Sequence, residues 1–190
     1  MRYVIGIGSN MGDSVSIVRR AIDEIEATFD IDVDERSSLY RTRPVGGPEQ
    51  DDYINAVVVM HCDRDPDRVL AGLQEIEHEF GRVRDVRWGP RTLDLDIIAV
   101  DDTISVDPDL TLPHPRAHER AFVLVPWHEI DPEATLPHHG PIENLLDRLT
   151  HGAEDGSRIP SASSVVVVAG GDQAPGCLLY TSPSPRDRYG

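Results

Sequence analysis

"RWGPRTLDLDIIAV" spans residues 87–100, and its reading decides the fold. From Thr92 onward the run has the apolar, β-branched character of a buried strand, interrupted by Asp94 and Asp96. Side chains alternate along a strand, so Leu93, Leu95 and Ile97 take one face and both aspartates the other. Aspartate is depleted in strands, and burying a carboxylate without a partner is costly. The apolar face therefore meets a core, while the aspartate face opens on solvent or on a ligand.

Working outward from this strand, the chain alternates regularly. Residues 2–7, "RYVIGI", predict a strand ending at Gly8. Asp13 or Ser14 then supplies an N-cap, and Val18, Ile22, Ile25 and Phe29 form a helical stripe. Residues 32–40 predict a second strand, a turn-rich segment "RTRPVGGPEQDD" (41–52) follows, and "YINAVVVMHC" (53–62) predicts a third. Asp65-Pro66 opens a second helix with core positions Val69, Leu73, Ile76 and Phe80, ended by Gly81. The aspartate strand is the fourth. The order β-α-β-β-α-β is the split βαβ pattern, so the expected class is α+β, a ferredoxin-like βαββαβ core. Short C-terminal helices are added, one of them over 142–149.

The length of 190 residues suits one domain, placed at 1–150. Residues 151–190 read as a disordered or non-native tail, and 177–190, "CLLYTSPSPRDRYG", resembles a translated sequencing adapter. The chain is expected to fold without residues 159–190. No apolar run approaches the roughly 20 residues that span a bilayer, and no secretory leader is legible. Cys62 and Cys177 have no metal-ligand spacing. A cytoplasmic monomer, with no membrane and no nucleic acid as partner, is the expectation.

The net charge of −16 argues against a nucleic-acid surface, and all 18 basic residues are arginine. Any phosphate site must therefore use guanidinium groups, which grip phosphate oxygens in pairs. Arg82, Arg84, Arg87 and Arg91 crowd the segment before the aspartate strand. Two readings of Asp94 and Asp96 stand: a solvated face, or a metal site. The arginines favour the second, because a metal held by two carboxylates bridges phosphate oxygens that arginines also clamp. Tyr53 and Asn55, two apart on a strand, share a face, and Asn55 offers both a donor and an acceptor.

Four segments resemble the 6-hydroxymethyl-7,8-dihydropterin pyrophosphokinase family, in order and at family spacing. They are "IGIGSNMGD" (5–13), "SSLYRTRPVGGPEQDDYINAVV" (37–58), "GRVRDVRWGPRTLDLDI" (81–97) and "LTLPHPRAHERAFVLVPWHEI" (110–130). The resemblance implies Mg²⁺-dependent transfer of pyrophosphate from ATP to the pterin hydroxymethyl group, leaving AMP, in tetrahydrofolate biosynthesis. It implies that Asp94 and Asp96 hold two Mg²⁺ ions, and that Arg82, Arg91 and Arg120 neutralise the triphosphate, with Arg84 closing over it. By the same resemblance His114 and Thr111 bind phosphate or ribose, and Gln74, Glu77, Trp88 and Ile97 complete the nucleotide pocket. Thr42, Tyr53, Asn55 and Phe122 would hold the pterin, with Arg43 backbone and Val45 at its edge.

Taken singly, several of these residues have plainer readings. Tyr53 suits a core position, His114 an ordinary loop, Trp88 a hydrophobic edge, and Arg82 and Arg84 a solvated helix end. The chain also departs from the family at Asp85 and Asp109, where a basic residue is common, and at Pro115, where an aromatic is. Each weakens nucleotide contacts at the rim, and His118 stands where it could replace a peripheral cation. Two other functions compete. A single-stranded RNA-binding module would need exposed aromatics and a basic surface, which Asp94, Asp96 and the net charge oppose. A silent nucleotide-binding regulatory domain is opposed by the intact Asp94, Asp96, Arg91 and His114.

Overall fold

The structure is a computed structural model that describes residues 1–44, 48–81 and 92–151, and residues 165–169 as backbone. The chain runs β1 (Arg2–Ser9), α1 (Ser14–Phe29), β2 (Glu35–Arg36), β3 (Leu39–Thr42), β4 (Tyr53–His61), α2 (Pro66–Glu79) and β5 (Asp94–Val100). Then come β6 (Ser105–Val106), β7 (Thr111–Leu112), a 3-10 turn (Ala117–Glu119) and α3 (Ala121–Ile130). β8 (Thr135–Leu136), β9 (Gly140–Pro141), α4 (Ile142–His151) and β10 (Val165–Ala169) complete the described chain.

The main sheet has the order β10-β3-β4-β1-β5, with β2 also pairing β4, and every pair is antiparallel. β1 lies between the two strands that flank α2 in sequence. Such an arrangement needs each helix to cross one face and return the chain to a strand that is not its neighbour. α1 and α2 do so on the same side. Val18, Ile22, Ile25 and Phe29 of α1 and Val69, Leu73 and Ile76 of α2 bury against Ile5, Ile54, Val58, Leu95 and Ile97. Each fully buried aliphatic side chain contributes about 1.5–3 kcal/mol, and this face carries most of the stripe that the sequence displays. The two helices approach closely at Gly72. A methyl group there would lie 2.7 Å from Phe29, so only glycine lets the aromatic ring seat.

The helix ends follow local rules. Asp13 caps α1 by accepting from the Ser16 N–H at 3.2 Å. Asp30 ends it in the left-handed conformation, its N–H bonded to the Glu26 carbonyl. Pro66 stands in the first turn of α2, where a missing N–H costs nothing.

The other sheet face is covered at one end by α3 and α4. α3, "AFVLVPWHEI", is buried nearly all round: Ala121, Val123, Leu124, Val125, Pro126 and Trp127 are all inside. It packs on Val4, Tyr40, Val57, Val59 and Ile98, with Leu145, Leu146 and Leu149 of α4 beyond it. The Glu129 carboxylate fastens it to β3, accepting from the Ser38 N–H at 3.0 Å, from Ser38 Oγ at 2.6 Å and from the Tyr40 hydroxyl at 2.5 Å. This clamp coincides with the break in the expected second strand. The segment is two short strands, 35–36 and 39–42, between which Ser37 still bonds Val57 of β4 through its N–H and its hydroxyl while Ser38 turns to Glu129.

The tail departs from its expected detachment. β10 lies against the outer edge of β3, with Val165 opposite Thr42 and Val167 opposite Tyr40. An uncovered edge strand exposes a row of unpaired N–H and C=O groups, and β10 satisfies that edge. Two truncations separate this role from the remainder of the tail. Removing 170–190 should leave the Tm unchanged, whereas removing 165–190 should lower it by about 2–4 °C per kcal/mol lost. The longer deletion should also accelerate amide exchange in Leu39–Thr42. Equal melting of the two truncated chains would show that β10 contributes nothing to the body.

Candidate active site

Cross-strand register assembles one polar patch. Gly8 of β1 stands opposite Asn55 of β4 on one side and opposite Asp94 of β5 on the other, and Gly6 stands opposite Asp96. Thr42 of β3 pairs with Tyr53. Directly paired residues share a face, so Thr42, Tyr53, Asn55, Gly8, Gly6, Asp94 and Asp96 lie on the sheet face opposite α1 and α2. The two glycines form its floor. A methyl group at Gly8 would come within 2.9 Å of Asn55 Oδ1, and one at Gly6 within 3.2 Å of Ile98. Absence of side chains there lets Asn55 and Ile98 lie close over the strand between the amide side and the carboxylate side.

Each wall is held in place. Asn55 is buried and donates through Nδ2 to Thr42 Oγ1 at 2.6 Å, which leaves Oδ1 directed over Gly8. Tyr53 stands half-buried beside it. On the other side, β5 is anchored from beneath: buried Glu77 of α2 accepts the Leu95 N–H at 2.8 Å. Leu95 lies between the two aspartates, so the helix carboxylate fixes the segment that presents them. Above β1, Asn10 donates to Gln50 Oε1 at 2.9 Å and to the Asp51 carbonyl at 3.0 Å, joining the segments that follow β1 and precede β4.

The carboxylate wall meets a cationic turn. Between Ile97 and Ala99 the pairing of β5 with β1 shifts by one residue, and Ile98 is the extra residue of this bulge. Its carbonyl accepts the His114 N–H at 2.8 Å, which carries residues 114–120 alongside the aspartates. His114 Nε2 lies 3.9 Å and Arg120 Nη1 3.8 Å from Asp96 Oδ2. The His114 Nδ1 accepts the Arg116 N–H at 3.1 Å, so a neutral ring carries its hydrogen on Nε2, facing Asp96. Burial pushes the His114 pKa down to about 4, with Arg120 and then Arg116 acting the same way and Asp94 opposing them. Burial also lowers the Arg120 pKa, against the pull of Asp96. The Arg120 guanidinium lies over the Phe122 ring at 5.5 Å, so this side chain is held from two sides. Arg116 is engaged with Glu119, its Nε donating at 2.6 Å.

The sequence-derived candidates divide accordingly. Asp94, Asp96, His114, Arg120, Phe122, Thr42, Tyr53 and Asn55 fall around this face. Thr111 lies in β7, its hydroxyl donating to the Asp107 carbonyl at 2.9 Å, and Arg43 and Gln74 are exposed. Two residues differ from expectation. Glu77, expected in the nucleotide pocket, is buried and binds a strand amide, because the helix face it occupies meets β5. Ile97 packs into the α1–α2 core, since alternation turns it away from both aspartates. Arg82, Arg84, Trp88, Arg91 and Val45, like Asp85, lie outside the described residues. The sequence reading missed Gly6 and Gly8 as a floor, although "GIG" within a strand signals close approach. It also missed Glu129, for which no local signal exists. Among the described residues no helix is long and apolar enough to cross a membrane, and no three His, Cys, Asp or Glu side chains converge as a metal cluster.

A glycine-floored face with an amide wall and a carboxylate–guanidinium wall suits a flat polar ligand beside a phosphate group. Residues 4–132 match the model of the family described as 7,8-dihydro-6-hydroxymethylpterin-pyrophosphokinase (HPPK). The chain belongs to this family. It is 43% identical to the 2-amino-4-hydroxy-6-hydroxymethyldihydropteridine pyrophosphokinase of Methylorubrum extorquens over 129 residues, covering 68% of this chain and 82% of that one. It is 41% identical to the Bacillus subtilis protein of the same name over 126 residues, covering 66% and 75%. The chain is thus a pyrophosphokinase of the HPPK family. Its fold resembles the crystal structure of wild-type Plasmodium falciparum HPPK-DHPS with pteroate, at a TM-score of 0.68 and 13% identity. That match covers 86% of this chain but spans just under half, 45%, of the Plasmodium chain.

Two measurements probe this geometry. Glu77→Ala strands the Leu95 N–H, and should lower stability by about 1–3 kcal/mol in urea titration, while Glu77→Gln, whose amide oxygen still accepts, should cost less. An NMR titration of the ligand-free protein should find His114 neutral from pH 8 down, with its midpoint near 4. The unfolded chain takes up that proton near the ordinary histidine value of about 6.5, so His114 lowers stability progressively as pH falls from there toward 4. A midpoint at the ordinary value would mean that the ring is solvated.

Proposed function

We propose that this HPPK-family chain transfers the pyrophosphoryl group of ATP to 6-hydroxymethyl-7,8-dihydropterin, giving AMP and the pterin diphosphate, in an Mg²⁺-dependent reaction. The observation that carries this reading is the register of β1, which sets Asn55 and Asp94 on opposite sides of Gly8, with Asp96 beside Gly6. The pterin belongs to the amide side. Asn55 Oδ1 accepts from the amino-substituted edge of the ring, and Thr42 fixes that amide by occupying its donor. Tyr53 and Phe122 provide aromatic surface for a flat heterocycle. The ring's hydroxymethyl group then reaches toward Asp94 and Asp96 across the Gly8 floor.

The triphosphate belongs to the other wall. Arg120 supplies a permanent positive charge there, and neutral His114 supplies an Nε2–H donor. Arg82 and Arg91, with Arg84 and Trp88 from the same segment, belong to this reading as further nucleotide contacts. So do Gln74 and Thr111, and Val45 and Arg43 at the pterin edge. The donor set fits Mg²⁺: two half-exposed carboxylates on one strand face suit an ion that takes one or two protein carboxylates and fills its remaining positions with phosphate oxygens and water. Asp94 and Asp96 would hold two such ions, which when bound neutralise phosphate charge and lower the barrier to attack.

In the reaction the pterin hydroxyl oxygen bonds to the β-phosphorus, and the bond from that phosphorus to the α,β-bridging oxygen breaks. AMP leaves with that oxygen, and the hydroxyl proton is lost to solvent. No protein nucleophile is needed, because positioning and charge stabilisation carry phosphoryl transfer. A ferredoxin-like core in a 1–150 catalytic domain, working as a cytoplasmic monomer, accompanies this reading.

Asp96→Asn is the direct test. It keeps the strand and removes one negative ligand, so kcat at saturating Mg²⁺ and ATP should fall by orders of magnitude, at about tenfold per 1.36 kcal/mol. Pterin binding without nucleotide should change little. AMP is the expected nucleotide product of the wild-type chain. An Asn variant within a few-fold of wild type, or ADP as product, would overturn the proposal.

A further inference from the structure

The turn that carries His114, Arg116 and Arg120 is gripped from outside the site. His118, in its middle, stacks on His139 with ring centroids 4.1 Å apart and planes 7° from parallel. His139 belongs to the β8–β9 connection, whose own shape is set by a bond from the His139 N–H to the Leu136 carbonyl at 2.9 Å. Thus the C-terminal hairpin touches the cationic turn through this pair of rings.

We propose that His139 is a positioning residue for this turn, acting through His118 to hold Arg120 and His114 against the carboxylate wall. The inference rests on reading that wall as the triphosphate side. Three observations carry it. First, the turn moves as a unit. Ala117 donates to the His114 carbonyl at 3.1 Å, Glu119 to Arg116 at 3.2 Å and Arg120 to Ala117 at 3.2 Å, so a rotation at His118 displaces both His114 and Arg120. Second, His118 Nδ1 is buried and makes no hydrogen bond among the described residues. The orientation of this ring is therefore set by what lies against its face, and that is His139. Third, the surroundings disfavour charge on the outer ring. His139 is faced by His118, by His138 and by Arg148 of α4, and Arg116, Glu119 and Arg120 flank His118 along the turn. Burial, and then His118, His138 and Arg148, lower the His139 pKa, which favours an uncharged His139 ring in the stack.

The position is not a catalytic one. Among the described residues no hydrogen bond or ion pair joins His139 to Asp96 or to the amide wall, so its loss should spare pterin binding and the chemical step. It should act on nucleotide affinity alone. This separates a positioning role from ordinary packing, whose loss would reduce overall stability without favouring one substrate.

His139→Ala and His139→Phe in the full chain make the test, with steady-state KM for each substrate, kcat, calorimetric ATP binding and the Tm. His139→Ala should raise KM and Kd for ATP by about three- to tenfold, the range expected for loss of one ring stack, with kcat and KM for the pterin within twofold. His139→Phe restores a flat ring without a titratable nitrogen and should return ATP affinity to within twofold of wild type. An Ala variant with unchanged ATP affinity overturns the proposal, as does one in which both substrates weaken equally. A Phe variant as weak as Ala overturns it too, since the ring face would then not be the operative feature. A wild-type chain that binds no ATP overturns the functional reading and this proposal together. Wild-type ATP binding with an unaffected Ala variant removes the positioning role alone.

Discussion

β1 is hydrogen-bonded on both sides, to β4 and to β5, and its glycines have no side chain to separate what those neighbours present. Gly8 is the narrowest point of this constraint. A residue with a Cβ there would strike Asn55 Oδ1 at 2.9 Å, displacing the amide that Thr42 orients. The same glycine leaves open the path from Asn55 to Asp94. Two walls of opposite chemistry, one neutral and one charged, therefore share a single floor. Their separation is fixed by the spacing of strands in the sheet, which side-chain motion does not alter.

Such a polar patch on a core strand is tolerated because the sheet face is divided along its length. At the α3–α4 end the face is apolar and closed, with Trp127, Leu124 and Leu146 buried over Val4, Val57 and Ile98. At the other end it is bare glycine, amide and carboxylate. The β-bulge at Ile98 marks the boundary. It brings Ile98 and Ala99 both onto the closed side, and it frees a carbonyl that holds His114 on the open side. One irregularity thus completes the core and positions the cationic turn. Glu77 does the corresponding work from beneath, where a buried acceptor for the Leu95 N–H keeps β5 straight between its two aspartates.

The parts of this arrangement that the sequence reveals are those with short-range periodicity. The stripes of α1 and α2 fall on the buried side because 3.6-residue spacing is local information, and Phe80 joins them half-covered. The facing of Asp94 and Asp96 follows from strand alternation in the same way, and that alternation should equally have removed Ile97 from the pocket. α3 is different. Its apolar residues surround the helix, leaving no stripe to detect, and Pro126 has no N–H to give to the Phe122 carbonyl. Burial between the sheet and α4 outweighs that loss, and burial is tertiary information. Glu77 and Glu129 are illegible for the same reason: a glutamate on a helix reads as solvent-facing until the strand amide or hydroxyl it binds is known. β10 lies beyond 13 unpatterned residues from the last helix and is defined only by the edge it meets.

The net charge of −16 looks hostile to a polyanionic ligand, but the relevant field is local. At physiological ionic strength charges more than about 8 Å apart in solvent are largely screened. The acidic surface is therefore weakly felt at the site, while partly buried Arg120 and Asp96, 3.8 Å apart, interact with little screening. Two carboxylates there would repel phosphate strongly if they stood alone. Arg120, beside Asp96, offsets part of that repulsion. In the proposed reaction a divalent cation bound with the nucleotide would add to that positive charge, and no lysine is needed. The all-arginine basic complement fits this division of labour: a guanidinium keeps its charge when buried and offers a planar fork of donors, whereas an ammonium at the same depth would tend to lose its proton.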